Sequence, residues 1–289
     1  MGRTKSPAVL GFAIAAAIVM ASPPLGTASL QQSDRDRDRA RVQDALARSG
    51  ALLDRDASAD AIALLEPLLK ETVERDRALD AGIHFNLGRA YDRQSRFADA
   101  LLHYQRAIAD YRAIGSRPEH ALTLRLIAQV HKNTGNYEGG VAVAQEALAL
   151  YASLADDRGA ARTWITVGAI HDSVGDHRGA LESFERALPL FANEKSHELV
   201  NLWNEIGITQ KNLGKYADAR RTYLRGLDAA REIGDTRTMG FLLLNLAVLH
   251  GTVGEEERSV EAGQQALATF RSIGDRRGES IVLQNLANS

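Results

Sequence analysis

The 289-residue chain is 45% hydrophobic and 25% charged, with few aromatics, which suits helices better than strands. A formal net charge of −2 gives no basic field to attract nucleic acid, so no nucleic-acid partner is expected. The absence of cysteine excludes disulfides, thiol nucleophiles and cysteine-based metal sites.

At the N-terminus, Arg3 and Lys5 precede an uncharged apolar run, Ala8 to Ala21, which Pro23 and Pro24 break before small residues lead to Ala28. That order is the order of a secretory signal peptide, and residues 1–28 are read as one, with cleavage after Ala28 or Ala21. The run is 14 residues long, shorter than the roughly 20 that a helix needs to cross a bilayer. The expectation is an exported protein, periplasmic or extracellular, with no stable membrane span after cleavage.

Residues 29–41 alternate acid and base through Asp34-Arg35-Asp36-Arg37-Asp38-Arg39 and read as a flexible, solvated linker. Residues 42–78 then carry two apolar helical stripes, the second through Ala61, Leu64, Leu65, Leu68 and Leu69. This hairpin lacks the pattern found downstream, as expected of a cap at the end of a repeat array.

From residue 79 to 289 one pattern returns. An aliphatic residue followed by a small one occurs as Leu87-Gly88, Ile127-Ala128, Val167-Gly168, Ile206-Gly207, Leu246-Ala247 and Leu286-Ala287, in steps of 40, 40, 39, 40 and 40 residues. Three residues on comes a column of Tyr91, His131, His171, Gln210 and His250, and a turn column of Ser95, Gly135, Gly175, Gly214 and Gly254 follows. Second stripes, such as Ala180, Phe184 and Ala187, complete each unit. A period of this length that encloses two amphipathic helices is the mark of a solenoid, here five repeats plus the first helix of a sixth. The small residues allow the two helix axes of a hairpin to approach closely.

At these columns the chain resembles the tetratricopeptide repeat family, in a long form of about 40 residues similar to kinesin light chains and to bacterial repeat proteins that precede a CHAT-type, caspase-like peptidase domain. It departs from the family pattern where histidine replaces the tyrosine column. The resemblance implies an all-α, right-handed α-solenoid of antiparallel hairpins, and a scaffold that binds a protein or peptide in its concave groove. It also leaves open that the chain is the repeat portion of a longer peptidase protein.

No catalytic or phosphate-binding motif occurs, so the chain itself is read as no enzyme, with no cofactor. The three histidines His131, His171 and His250 share a column, but axes 8–10 Å apart cannot bring them to one zinc ion, so no metal is expected and each is read as packing inside its own hairpin. The candidate groove residues lie on first helices. Asn86, Asn204, Asn245 and Asn285 offer a donor and an acceptor to a peptide backbone, as inner asparagines of the family do, with structural bonding between helices as the competing reading. Arg89, Arg93, Arg125, Lys132, Asn133 and Lys211 are candidates for pairing with acidic groups, although their mixed columns do not make a dedicated clamp for a terminal carboxylate.

Overall fold

The computed structural model describes residues 25–70, 76–191 and 194–287, and what it describes is helical. The elements are α1 (Leu25–Asp54), α2 (Ser58–Lys70), α3 (Arg77–Arg93), α4 (Phe97–Ile114), α5 (Arg117–Asn133), α6 (Tyr137–Leu154) and α7 (Asp157–Ser173). They continue as α8 (His177–Ala187), α9 (His197–Asn212), α10 (Tyr216–Ile233), α11 (Thr236–Thr252), α12 (Glu256–Ser272) and α13 (Arg276–Ala287), with a 3-10 turn at Leu188–Phe191. The leader read at 1–28 lies outside the described residues except for its last four positions, where α1 begins.

Local chemistry sets these boundaries. Asp76, Asn136, Asp156, Asp176, Ser196 and Asp235 each accept a backbone N–H in the first turn of the following helix, which satisfies a donor that has no partner within the helix. Between the two helices of a repeat, the turn column adopts left-handed backbone, with φ of 58° at Ser95, 77° at Gly135 and Gly175, 73° at Gly214 and 78° at Gly254. Glycine takes that conformation without steric cost, and its recurrence in the column follows from it.

Residues 29–41, expected as a flexible lead, instead continue α1 as helix. The alternation that reads as solvated linker also places opposite charges one helical turn apart, as in the Arg41–Asp38 pair at 3.6 Å, and Arg39 reaches Asp76 ahead of α3 at 3.3 Å.

Each hairpin closes on its small residue. A Cβ built on Gly88 would lie 2.5 Å from the Tyr104 ring, one on Gly168 2.4 Å from Phe184, and one on Gly207 2.3 Å from Tyr223. Tyr104, Phe184 and Tyr223 are fully buried as a result, and the apolar residues around them form a core that runs along the stack instead of gathering at one centre. Successive helices pack on each other, and the odd-numbered helices also touch across repeats: α1 on α3, α5 on α7, α9 on α11 and α11 on α13. Those odd-numbered helices make the inner wall of the array.

Candidate functional site

The inner wall is a trough whose floor is the column of residues on either side of the buried Leu-Gly step. The asparagines of that column are engaged in hydrogen bonds within the fold. Asn86 Nδ2 donates to Ser49 Oγ at 2.9 Å and to the Leu46 carbonyl at 3.4 Å, which ties α3 to α1. Asn245 Nδ2 donates to Asn204 Oδ1 at 2.8 Å across α9 and α11, and Asn285 Nδ2 donates to the Ile281 carbonyl one turn back in α13. Each is half-buried, and none depends on a bound peptide for its first hydrogen bond. The amide of Asn204 and the carbonyl side of Asn86 and Asn245 retain further capacity.

The charged candidates divide along the trough. Arg89 lies over the Phe85 ring at 5.8 Å and faces Asp54 at 3.8 Å, and Arg93 meets Asp56 at 3.2 Å. Asp54 and Asp56 are well exposed, so these pairs hold the arginines only weakly. Arg125, on the next inner helix, is half-buried, and its Nε is buried with no hydrogen-bond partner among the described residues. Together Arg89, Arg93 and Arg125 line a pocket of about 370 Å³ between α3 and α5, with Phe85, Leu122 and Leu126 as apolar wall and Asp92 as its one acid. Burial pushes the Asp92 carboxyl above the usual range, with Arg93 opposing.

Further along, the sign reverses. Glu205 on α9 is open to water at its surface, yet the walls around it and the nearby Asp172 charge raise its carboxyl, while Lys132 pulls it back down. Lys132 is half-buried beside this acidic patch, and Asp172 is itself held by His177 Nδ1 at 2.8 Å. Lys211 lies at the equivalent level on α9, half-buried, and Asn133 is exposed and accepts from Gln129 at 3.3 Å. The structure therefore brings Arg89, Arg93 and Arg125 together around one pocket and places the Lys132 charge near Glu205.

Sequence reasoning passed over Tyr104 because its column reads as core. Its ring fills the space that Gly88 leaves open and backs the pocket between α3 and α5, and its buried hydroxyl has no hydrogen-bond partner among the described residues. Burial raises its phenol far above the ordinary value, so the hydroxyl remains a donor at every physiological pH. Tyr223 repeats the device three hairpins on, its hydroxyl also unpartnered, but there the neighbouring charge is Glu205.

The histidine column does something that its periodicity does not reveal. His171 Nδ1 bonds Asp176 at 2.9 Å and His131 Nδ1 bonds Asn136 at 3.1 Å, while His250 Nδ1 pairs with Glu255 at 2.5 Å. Each ring thus fastens the end of one helix to the capping residue of the next, inside its own hairpin, and no group of three metal-ligating side chains occurs among the described residues. Among those residues no helix is long and apolar enough to cross a membrane.

Two models of the tetratricopeptide repeat match the chain, one over residues 119–193 and one over 86–114. No curated protein matches it in sequence. Among solved structures, the apo form of RapI is 14% identical, with a TM-score of 0.66 over 86% of this chain and 99% of that one. A Rap protein complexed with Competence and Sporulation Factor is 16% identical, TM-score 0.62, over 86% of this chain and 74% of that one. NprR in complex with its cognate peptide NprX is 16% identical, TM-score 0.56, over 84% and 71%. At such identities these likenesses concern the fold, and the repeat columns and the wedged glycines agree with it: over residues 86–114 and 119–193 the chain is built of tetratricopeptide repeats.

Proposed function

We propose that the protein is an exported scaffold that holds an extended peptide or a peptide-like segment of a protein partner in the trough of its inner wall. The observation that carries this reading is the wall itself: the first helices α3, α5, α9 and α11 present half-buried Asn, Arg and Lys side chains, with Glu205 exposed among them and pockets opening between helices. Such a surface suits a chain laid along it, because polar side chains at regular intervals meet the regular donors and acceptors of an extended backbone. The two similar folds whose complexes are named above, one with a sporulation factor and one with a cognate peptide, support the kind of partner without identifying it. The order of charge, apolar run and small residues in 1–28 supports export.

Peptide-display selection against the folded chain, followed by calorimetric titration of the enriched sequences, tests the groove. Micromolar binders that compete with one another for one site are the expected result; a folded chain that enriches no peptide refutes it. Expression of the full reading frame in a bacterial host with fractionation tests export: the expected product is a periplasmic or secreted chain whose N-terminus follows Ala21 or Ala28, and an intact cytosolic chain starting at Met1 contradicts it.

A further inference from the structure

The second helices make the outer wall of the array, and α10 breaks their common pattern. Counted from the start of each second helix, the fifth residue is Leu101, Val141, Leu181 and Val260 in four repeats but Arg220 in α10. The ninth is Gln105, Gln145, Glu185 and Gln264 but Leu224 in α10. An apolar and a polar position are thus exchanged, and hairpin packing does not require it, since the other repeats close without it. Arg220 gives Nη2 to Glu255 Oε2 at 2.6 Å, while its Nε is buried with no hydrogen-bond partner among the described residues. Leu224 is left 48% exposed. It stands at a groove of about 360 Å³ between α10 and α12, floored by Leu243 and Leu246 of α11. The walls carry Arg220 and Arg231 on one side and Arg258 and Glu261 on the other. Arg231 and Arg258 are mostly exposed and pair through Nη1 with Asp228 at 3.1 Å and with Glu255 at 3.3 Å. Asp228 is 75% exposed, and Glu255 is shared with Arg220 and His250, so these pairs hold Arg231 and Arg258 only weakly.

We propose that this outer groove is a second docking surface, which takes a segment of a protein partner that lays a bulky apolar side chain on Leu224, Leu243 and Leu246 and sets an Asp or Glu beside it on the arginines. It lies on the wall opposite the trough and does not depend on what the trough holds. The apolar side chain is the anchor, because the groove floor and the exposed face of Leu224 leave water together on binding, an effect worth roughly tenfold or more in affinity. The acid follows from charge complementarity, since three guanidiniums line the groove against one carboxylate, Glu261. Arg220 and Arg258 converge on Glu255, so the partner's acid belongs at that end, where it also supplies an acceptor for Arg220 Nε. An anionic lipid surface would suit leucine and arginine as well, but these line a recess between helices and Glu261 stands among them, which favours an inserted segment over a flat bilayer.

The test selects a random peptide library displayed on phage against the full chain and discards clones that also bind Leu224→Gln. The variants Leu224→Gln, Arg220→Leu and Arg258→Asp install residues that other repeats carry at the same positions, as in Gln105, Leu101 and Asp99, so the hairpin accepts them, and urea midpoints confirm that each stays folded. Surviving peptides are expected to join a bulky apolar residue to a nearby Asp or Glu. Calorimetry should show them binding one site and losing about fivefold or more in affinity on Arg258→Asp and on Arg220→Leu, as loss of a bond to a charged partner implies. They should neither displace peptides held by the trough nor slow thiol labelling at Lys132→Cys. The proposal is overturned if no clone survives the discard, if the survivors carry no acid, or if they bind Arg258→Asp and Arg220→Leu as tightly as the parent. Two further results would replace the occupant and so overturn it: vesicles of phosphatidylcholine and phosphatidylglycerol that sediment the parent but not Leu224→Gln, or a dimer of the parent that Leu224→Gln dissociates. In each of these cases the trough stands or falls separately, since its own peptides should bind Leu224→Gln and the parent equally.

Discussion

Ser95 and Ala155 hold left-handed backbone, φ 58° and 53°, at positions where other repeats place glycine. A side chain there costs roughly 1 kcal/mol through contact of Cβ with the neighbouring carbonyl. Ser95→Gly and Ala155→Gly are therefore expected to raise the stability by up to about that amount, and Gly175→Ala to lower it by as much, read from urea midpoints at constant slope. The turn column was legible in the sequence because glycine has so strong a reason to recur in it. The histidine column was legible only as packing, since bonding to Asp176 or Glu255 depends on a turn geometry that spacing alone does not give. Buried His103 shows a further consequence. It lies 2.8 Å, Nδ1 to Nδ1, from His84, and burial, followed by the His84 charge, holds its pKa down at about 4. A histidine whose folded pKa lies below its unfolded value of about 6.5 favours folding while neutral, so that contribution is complete above pH 6.5 and is lost as pH falls toward 4. Urea midpoints should decline across that window, and His103→Asn should flatten the decline; an unchanged slope in the variant would remove the assignment.

At the scale of the helix pair, the repeat was readable because its determinants are local in sequence and periodic: a small residue in the first helix, an aromatic in the second, and a glycine between them. Gly168 and Gly50 show how much the context of a glycine decides. A Cβ on Gly168 would overlap Phe184 at 2.4 Å, whereas one on Gly50 in α1 meets nothing within 4 Å. Gly168→Val should lose about 1–3 kcal/mol or more by forcing the hairpin apart, while Gly50→Ala should gain about 0.5–1 kcal/mol by restricting the unfolded chain within a helix. Thermal and urea denaturation of the two variants side by side decide this, and similar losses in both would contradict the packing described. The helix over 29–41 was missed because alternating charge describes solvated helix and solvated coil equally well, and the contact of Arg39 with Asp76 lies 37 positions away in the chain.

Across the whole molecule the candidate site was half legible. Sequence columns located the inner wall and its arginines but left the asparagines open between peptide contact and bonding between helices; Asn86 and Asn245 do bond across neighbouring first helices, and partners one repeat away, such as Ser49 for Asn86, have no signature in a single unit. Tyr104 was hidden because one side chain serves both core and pocket. The trough carries Arg89, Arg93 and Arg125 at α3 and α5 and Asp172 and Glu205 at α7 and α9, so on the proposed reading a chain bound in one direction meets different charge from one bound in the other. Because the protein contains no cysteine, single thiols can be introduced anywhere as reporters. The most direct measurement compares thiol labelling rates of Lys132→Cys on the inner wall and Glu182→Cys, exposed on α8, with and without a saturating display-selected peptide. A trough that holds the peptide predicts slowed labelling at Lys132→Cys and an unchanged rate at Glu182→Cys; equal rates at Lys132→Cys with and without bound peptide would contradict it.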